Sequence, residues 1–413
     1  MRPVSTWLAR AIIACVLTGT LVWWAARTDV PRLMMGVKGD ESTYISMAFS
    51  LAKDGDLKFT PVDLKRFYGL YGPLPCFSAD QAVRAHKPDL ACRGPEGIFV
   101  KRSFDLHWQV HAGWPPLQVT RTAVPTAQRL DYGKSFVYAV VAAPFAAALG
   151  LGGLLVLNVL LLALCFWCAV LFCRARLGAV AGTVMGMAFV GASVLPAYAV
   201  WLMPEMLNVA LVLVAYFLWL YKKVAPPTTP AWLRWPHLDT VSGFLLGIAT
   251  FSKVTNGLLV GPVLIDALVS RRWKRGISVL ALYAAGSLGL FGVNALISGD
   301  WNYQGGDRKY FVTHFPYDGD GTAFDASNAG SQMTTNEAAN EDMITPAKML
   351  PLLRLNLFYF LVGRDAGLVP YFFPGVLACL WWAVRWRRST PWQWSTLLAC
   401  GGTVLTLLVF LPD

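Results

Sequence analysis

Charge is scarce in this chain. Asp, Glu, Lys and Arg make up 14% of 413 residues, against 56% hydrophobic residues, and apolar runs of 18 or more residues recur. That balance excludes a large soluble core and points to a polytopic helical membrane protein. Acids are scarcer than bases, 24 against 35. In a membrane chain such an excess is first a topology signal, because Lys and Arg collect in cytoplasmic loops. The basic residues fall in short clusters at helix ends rather than on one basic module, which argues against a nucleic-acid partner. Also missing are a nucleophile elbow, a P-loop, a dinucleotide fingerprint, internal repeats and the inverted repeats of many transporters. Of the eight cysteines, Cys15, Cys165, Cys168, Cys173, Cys379 and Cys400 sit in or beside apolar runs and read as small buried hydrophobes. Cys165 and Cys168 form a C-x-x-C, but no His or acid lies near enough in sequence to complete a metal or redox site. Cys76 and Cys92 lie in a polar segment, and export of that segment would make them a disulfide candidate.

What is present threads the membrane. The first span is expected at Trp7–Ala26, read as a retained helix rather than a cleaved signal peptide. Arg2 and Arg10 precede it, which puts the N-terminus in the cytoplasm. A polar segment rich in Pro, Gly and aromatics runs to about Lys134, too long for a simple linker. Ser135–Gly150, interrupted by Pro144, reads as a surface or re-entrant helix, and Gly153–Cys173 as a crossing that ends at Arg174 and Arg176. Ala179–Val200 returns outward to Pro204-Glu205, and Met206–Tyr221 descends to Lys222-Lys223. Val241–Ser270 is too long for one untilted span and reads as a hairpin that turns at Lys253, closed by Arg271, Arg272, Lys274 and Arg275. Gly276–Ile297 rises to an acidic loop, about Ser298–Thr345. Met349–Val362, broken at Gly363–Gly367, is followed by Leu368–Val384, then Arg385, Arg387 and Arg388, then Trp394–Leu411.

The expected fold is therefore an all-α polytopic membrane protein with about nine transmembrane helices and a long first external loop carrying juxtamembrane helices. Its divisions are expected at 1–26 (first span), 27–152 (external loop 1), 153–297 (transmembrane core), 298–345 (acidic external loop) and 346–413 (C-terminal helices).

Within this frame a few polar residues stand out. Asp40 and Glu41 follow the first span as an adjacent acidic pair, and ionisable groups at a membrane boundary default to a functional hypothesis. Read alone, the pair is first a solvated turn after a helix. The threading puts Glu205 on the same side, where it is either a second functional acid or an ordinary helix-start acid. Two carboxylates at one site can divide labour, one taking a proton and the other orienting an acceptor or holding a divalent cation. Lys253 and Arg364 lie at predicted helix breaks on that side and suit a phosphate group, or snorkel to the interface. His107 and His111 have the i,i+4 spacing of helical metal ligands but lack the Glu of H-E-x-x-H, and Pro115-Pro116 follows closely. Asp318–Asp325 resembles a calcium loop in composition but lacks its spacing.

Several of these stretches share a family likeness. Gly39-Asp40-Glu41-x-x-Tyr44 after the first span resembles the acidic motif in the first external loop of GT-C class glycosyltransferases. The likeness is to bacterial relatives of protein O-mannosyltransferases and of lipid A aminoarabinose transferases. Ser50–Leu57 is similar to the stretch after that motif in bacterial members, Lys134–Phe145 resembles the family's juxtamembrane helix, and Gly247–Gly257 its glycine-rich hairpin with a basic residue. Pro204-Glu205 stands where the family has a Pro-Asp, one methylene shorter. The chain stops soon after the ninth expected crossing, as a truncated or minimal member would.

The resemblance implies a transferase at the outer face of a bacterial inner membrane. It would pass a sugar from a polyprenyl-phosphate donor to a hydroxyl on a lipid, glycan or protein, with inversion. Asp40 would be the base or orienting carboxylate, Glu41 its support or a cation ligand, and Glu205 the second acid. Lys253 and Arg364 would hold the lipid phosphate, and Tyr44, Trp114 and Trp201 would stack on sugar faces. A divalent cation stays open. A rival reading with the same residues is a transporter or flippase of a lipid-linked sugar, which leaves the sugar–lipid bond intact; another is a catalytically inactive scaffold.

Overall fold

The computed structural model describes residues 3–28, 30, 39–71, 98–111, 118–227, 229–304, 308–311, 315–317, 324, 346–363 and 367–410. The chain divides into two compact units, Met1–Leu157 with Phe291–Asn336, and Asn158–Leu290 with Glu337–Asp413.

The first unit opens with α1 (Pro3–Arg27), followed by α2 (Gly39–Lys53), β1 (Lys58–Phe59) and α3 (Pro61–Tyr71). The start of α3 is written in its sequence. Asp63 accepts from the Thr60 N–H at 3.0 Å and from its hydroxyl at 2.6 Å, a capping box, and Pro61 occupies the first helical position, where no N–H is needed. Next come β2 (Ile98–His111), β3 (Gln118–Tyr132) and α4 (Val137–Leu149).

The two long strands correct the all-α expectation for the external loop. They form an antiparallel sheet in the order β1-β3-β2-β4, whose last strand, β4 (Arg308–Phe311), comes from the acidic second loop. The register pairs Val100 with Tyr132 and shifts between Arg102 and Phe104, while β4 pairs Lys101 with Arg308 and Ile98 with Phe311. Stretches such as Val119-Thr-Arg-Thr-Ala-Val124 favour an extended chain because β-branched side chains pack well on a pleated surface. The strand assignment also removes the helical spacing of His107 and His111. Along a strand, four residues span about 13 Å rather than one helical turn. Cys76, Cys92 and Asp318–Asp320 lie outside the described residues.

The second unit is helical. It holds most of α5 (Leu151–Leu177), then α6 (Ala179–Gly191), α7 (Leu195–Val200), α8 (Glu205–Leu220), α9 (Leu238–Ser252), α10 (Gly261–Val269) and most of α11 (Trp273–Ser298). It ends with α12 (Pro346–Val362), α13 (Leu368–Tyr371), α14 (Phe373–Arg385) and α15 (Pro391–Phe410). Among the described residues, four stretches are long and apolar enough to cross a membrane: Leu151–Leu177, Glu205–Lys223, Trp273–Ser298 and Pro391–Val409. Other apolar helices are shorter, among them α4, α6 and α9. The expected hairpin breaks at Lys253, where φ −142° and ψ 111° end α9.

Antiparallel α8 and α9 are pinned at both ends. Lys222 beyond α8 bonds Asp239 at the start of α9, and Lys253 beyond α9 bonds Glu205 at the start of α8 at 2.6 Å. Asp239 also pairs with Arg275 at 3.1 Å, and Asp266 with Lys223 at 2.7 Å. Arg174 and Arg176 join the same end, since Ala175 packs against the cluster of Cys168, Phe217 and Tyr221. Helix α15 starts there too, with Trp392 against Trp219. The basic clusters of the sequence thus gather at one end of this unit, and Glu205 and Lys253 lie at the other.

Helices α9 and α11 cross at backbone distance. A β-carbon on Gly247 would strike the Tyr283 carbonyl oxygen, and one on Gly286 would lie 2.6 Å from the Phe244 oxygen. Small residues are how membrane helices gain packing contact, since lipid removes the hydrophobic drive between them. Gly247→Val should cost about 1–3 kcal/mol through overpacking and lower the melting temperature of the detergent-solubilised chain. Gly289→Ala, at a helical position with open space, should not. Equal melting temperatures for Gly247→Val and wild type would contradict this packing.

Candidate functional site

The site of the first unit is built on the start of α2. Its first-turn acids, Asp40 and Glu41, suit the positive end of the helix dipole. The rest of that helix is anchored. Residues 41–50 are buried, the Phe99 N–H donates to Thr43 Oγ1 at 3.0 Å, and Tyr44 meets Tyr138 of α4 edge to face, 5.9 Å between centroids. The adjacent carboxylates therefore part company. Glu41 is 2% exposed, and the Asp40 side chain is 44% exposed.

Asp40 is held by a residue whose sequence context suggests no catalytic role. Lys134, in the turn between β3 and α4, places Nζ 2.8 Å from Asp40 Oδ1 and 4.1 Å from the centre of the Phe99 ring. It is 8% exposed, so its charge is compensated by the carboxylate and the ring face rather than by water. Arg308, the first residue of β4, puts its guanidinium carbon 5.0 Å from the same ring and donates to the Gly133 carbonyl at 3.3 Å. Gly133 leaves room for this: a β-carbon there would lie 2.7 Å from Arg308 Cδ. Burial pushes the Arg308 pKa down, opposed by the Asp40 carboxylate. Its Nε is buried and meets no acceptor among the described residues. The result is one outward carboxylate beside two cations, one of which has a spare donor. Such a group can take or orient a proton and bind an oxyanion at the same place.

A second polar network stiffens the sheet behind this site. Lys101, 1% exposed, donates to Asp300 Oδ2 and to the Asn302 carbonyl, each at 2.7 Å. Burial lowers its pKa, and Asp300 works against that shift. Ser103 donates to Asp131, whose pKa burial raises despite that bond and despite Arg129 nearby.

The other predicted residues fall in the second unit or outside the described residues. Glu205 begins α8 after Pro204, and its Oε1 accepts from Lys253. Its Oε2 is buried without a hydrogen-bond partner among the described residues. Below the pair, Asn208 donates to the Pro204 carbonyl and to Ser252 Oγ, each at 2.9 Å, and accepts from Asn256 at 3.2 Å. This clamp ties the two helix breaks together. The Trp201 carbonyl accepts from Asn158 at 2.6 Å, and its ring lies 5.3 Å from that of Tyr198. Trp114 and Arg364 lie outside the described residues. The structure thus brings Asp40 together with Lys134 and Arg308, and Glu205 together with Lys253. Among the described residues no group of three His, Cys, Asp or Glu could hold a metal ion.

Lys134 carries a local signal, a lone cation at the foot of an apolar helix. Arg308 carries none, standing in a mostly acidic loop. In comparisons with known proteins, no family model, curated protein or solved structure matches the chain.

The raised pKa of Asp131 gives a signed prediction. Between its ordinary value of 3.8 and its higher folded value, the folded state holds more protons than the unfolded one, so rising pH through that window costs stability. Asp131→Asn stays neutral and keeps an oxygen for Ser103. The melting temperature of the variant minus that of wild type should therefore be larger at pH 7 than at pH 4. An equal or smaller difference at pH 7 would show that Asp131 is not penalised by burial.

Proposed function

We propose that this chain is a GT-C class glycosyltransferase of about nine crossings in a bacterial inner membrane. It moves a sugar from a polyprenyl-phosphate donor to an acceptor hydroxyl at the outer face. The observation that carries the reading is the outward Asp40 carboxylate, bonded to buried Lys134 and flanked by Arg308 with its unused Nε. Glycosyl transfer from a phosphate needs both kinds of group at once. The acceptor hydroxyl gives up a proton as its oxygen bonds to the sugar's anomeric carbon. The bond from that carbon to the phosphate oxygen breaks on the opposite face, and negative charge grows on the departing phosphate. Asp40 takes or orients the proton. Arg308 and Lys134 stabilise the phosphate charge through positive charge already held beside Asp40.

Glu41 is buried and serves as support rather than as a substrate contact. Both acids are ion-paired, but the Asp40 side chain is 44% exposed against 18% for Glu205, so the reacting role falls to Asp40 and the phosphate to the cations beside it. By the positive-inside rule the basic end of the second unit faces the cytoplasm, with the N-terminus, and the Glu205–Lys253 end faces outward.

The test is reconstitution into liposomes with a polyprenyl-phosphate donor labelled in the sugar, following cleavage of the sugar–lipid bond and label on the acceptor. Wild type should cleave and transfer, and Asp40→Asn should be slower by about 100-fold or more. Movement of the label across the bilayer with its lipid bond intact would instead favour a transporter. Full activity in Asp40→Asn would remove that residue from the chemistry.

A further inference from the structure

The second unit contains an apolar pocket of about 200 Å³, away from its Glu205–Lys253 end. It is lined by Cys168, Phe172 and Cys173 of α5, Phe189 of α6, and Leu213 and Phe217 of α8, among others. Tyr216 contributes only its ring, because its hydroxyl already donates to the Leu259 carbonyl at 2.9 Å. Phe189 is braced from outside by Phe372, 5.7 Å between ring centres. Helix α5 and the run Glu205–Lys223, which contains α8, are long and apolar enough to cross a membrane by length and composition.

Its position in the unit names the occupant. The α8 lining residues lie toward the helix end that leads into Lys222 and Lys223, the basic end. On α5, Ala169, Phe172, Cys173 and Arg176 follow the i, i+3, i+4, i+7 spacing of one helical face, so the apolar stripe runs directly into Arg176, with Arg174 beside it. Lys222 and Lys223 are paired with Asp239 and Asp266, whereas Arg174 and Arg176 have no ion pair among the described residues. An apolar slot that ends in two uncompensated arginines complements an apolar chain with an anionic head. We propose that it holds one anionic glycerophospholipid, with an acyl chain in the pocket and its phosphate on Arg174 and Arg176. The site lies at the opposite end of α8 from Glu205 and Lys253, so the inference is independent of the proposed transferase activity.

The full chain is placed in nanodiscs of equal phosphatidylglycerol and phosphatidylcholine, and co-purifying lipid is counted by native mass spectrometry. Wild type should retain phosphatidylglycerol in preference. Arg174→Gln and Arg176→Gln should each reduce that preference about fivefold, the weight of one basic residue at an anionic surface. Ala169→Leu, which narrows the pocket, should lower retention of the lipid without changing elution on size exclusion. Equal retention of the two lipids by wild type, or an unchanged preference in the double arginine variant, would overturn the proposal. So would displacement of the bound phosphatidylglycerol by an equimolar polyprenyl phosphate, which would assign the pocket to a different lipid.

Discussion

A buried ammonium must have a counter-charge, and in the first unit the ion pair between Lys134 and Asp40 meets that demand. Leaving a charge buried without its partner costs several kcal/mol in general. Lys134 is almost fully covered, so the turn that carries it has to bring it to Asp40, and the helix that carries Asp40 has to start where it does. The remaining elements of the unit are arranged around this pair. The Phe99 ring lies under the ammonium, β2 carries Phe99, and β4 joins β2 to bring Arg308 to the same ring. The sheet thus carries Phe99 and Arg308 beside the Lys134–Asp40 pair, and Lys101 and Asp300 fasten the second loop to it.

The second unit solves a different problem with the same chemistry. Its helices are apolar along their length, and every acid paired among their described residues meets a cation at a helix end: Asp239 meets Lys222 and Arg275, Asp266 meets Lys223, and Glu205 meets Lys253. Close crossing through Gly247 and Gly286 supplies packing where lipid supplies no hydrophobic drive. Pairing at both ends of α8 and α9 fixes their register, and the buried Asn208 clamp does so again just inside the membrane-facing run.

Much of the helical part was legible in the sequence because its signals are local. An apolar run, a basic cluster and a break at Lys253 or Pro204 can each be read within a few residues, and the structure breaks its helices there. The sheet was not legible in the same way. Its β4 (Arg308–Phe311) lies far along the chain from β2 (Ile98–His111), and pairing between distant segments leaves no periodic trace in either. For the site, Asp40 could be singled out by its place after the first span, but its partners could not. Lys134 reads as a boundary marker until Phe99 is known to lie beneath it, and Arg308 is hidden among acids. The break at Lys253 is legible locally, but its bond to Glu205, far back in the chain, leaves no local trace.

The central claim is that the cations beside Asp40 receive a departing lipid phosphate. It is tested most directly by release of polyprenyl phosphate from saturating labelled donor in bilayers containing wild type or Arg308→Gln. Wild type should release polyprenyl phosphate steadily, and Arg308→Gln about 100-fold more slowly, because a positive charge beside the leaving phosphate is lost. Release at the same rate by both proteins, or none by wild type, would contradict it.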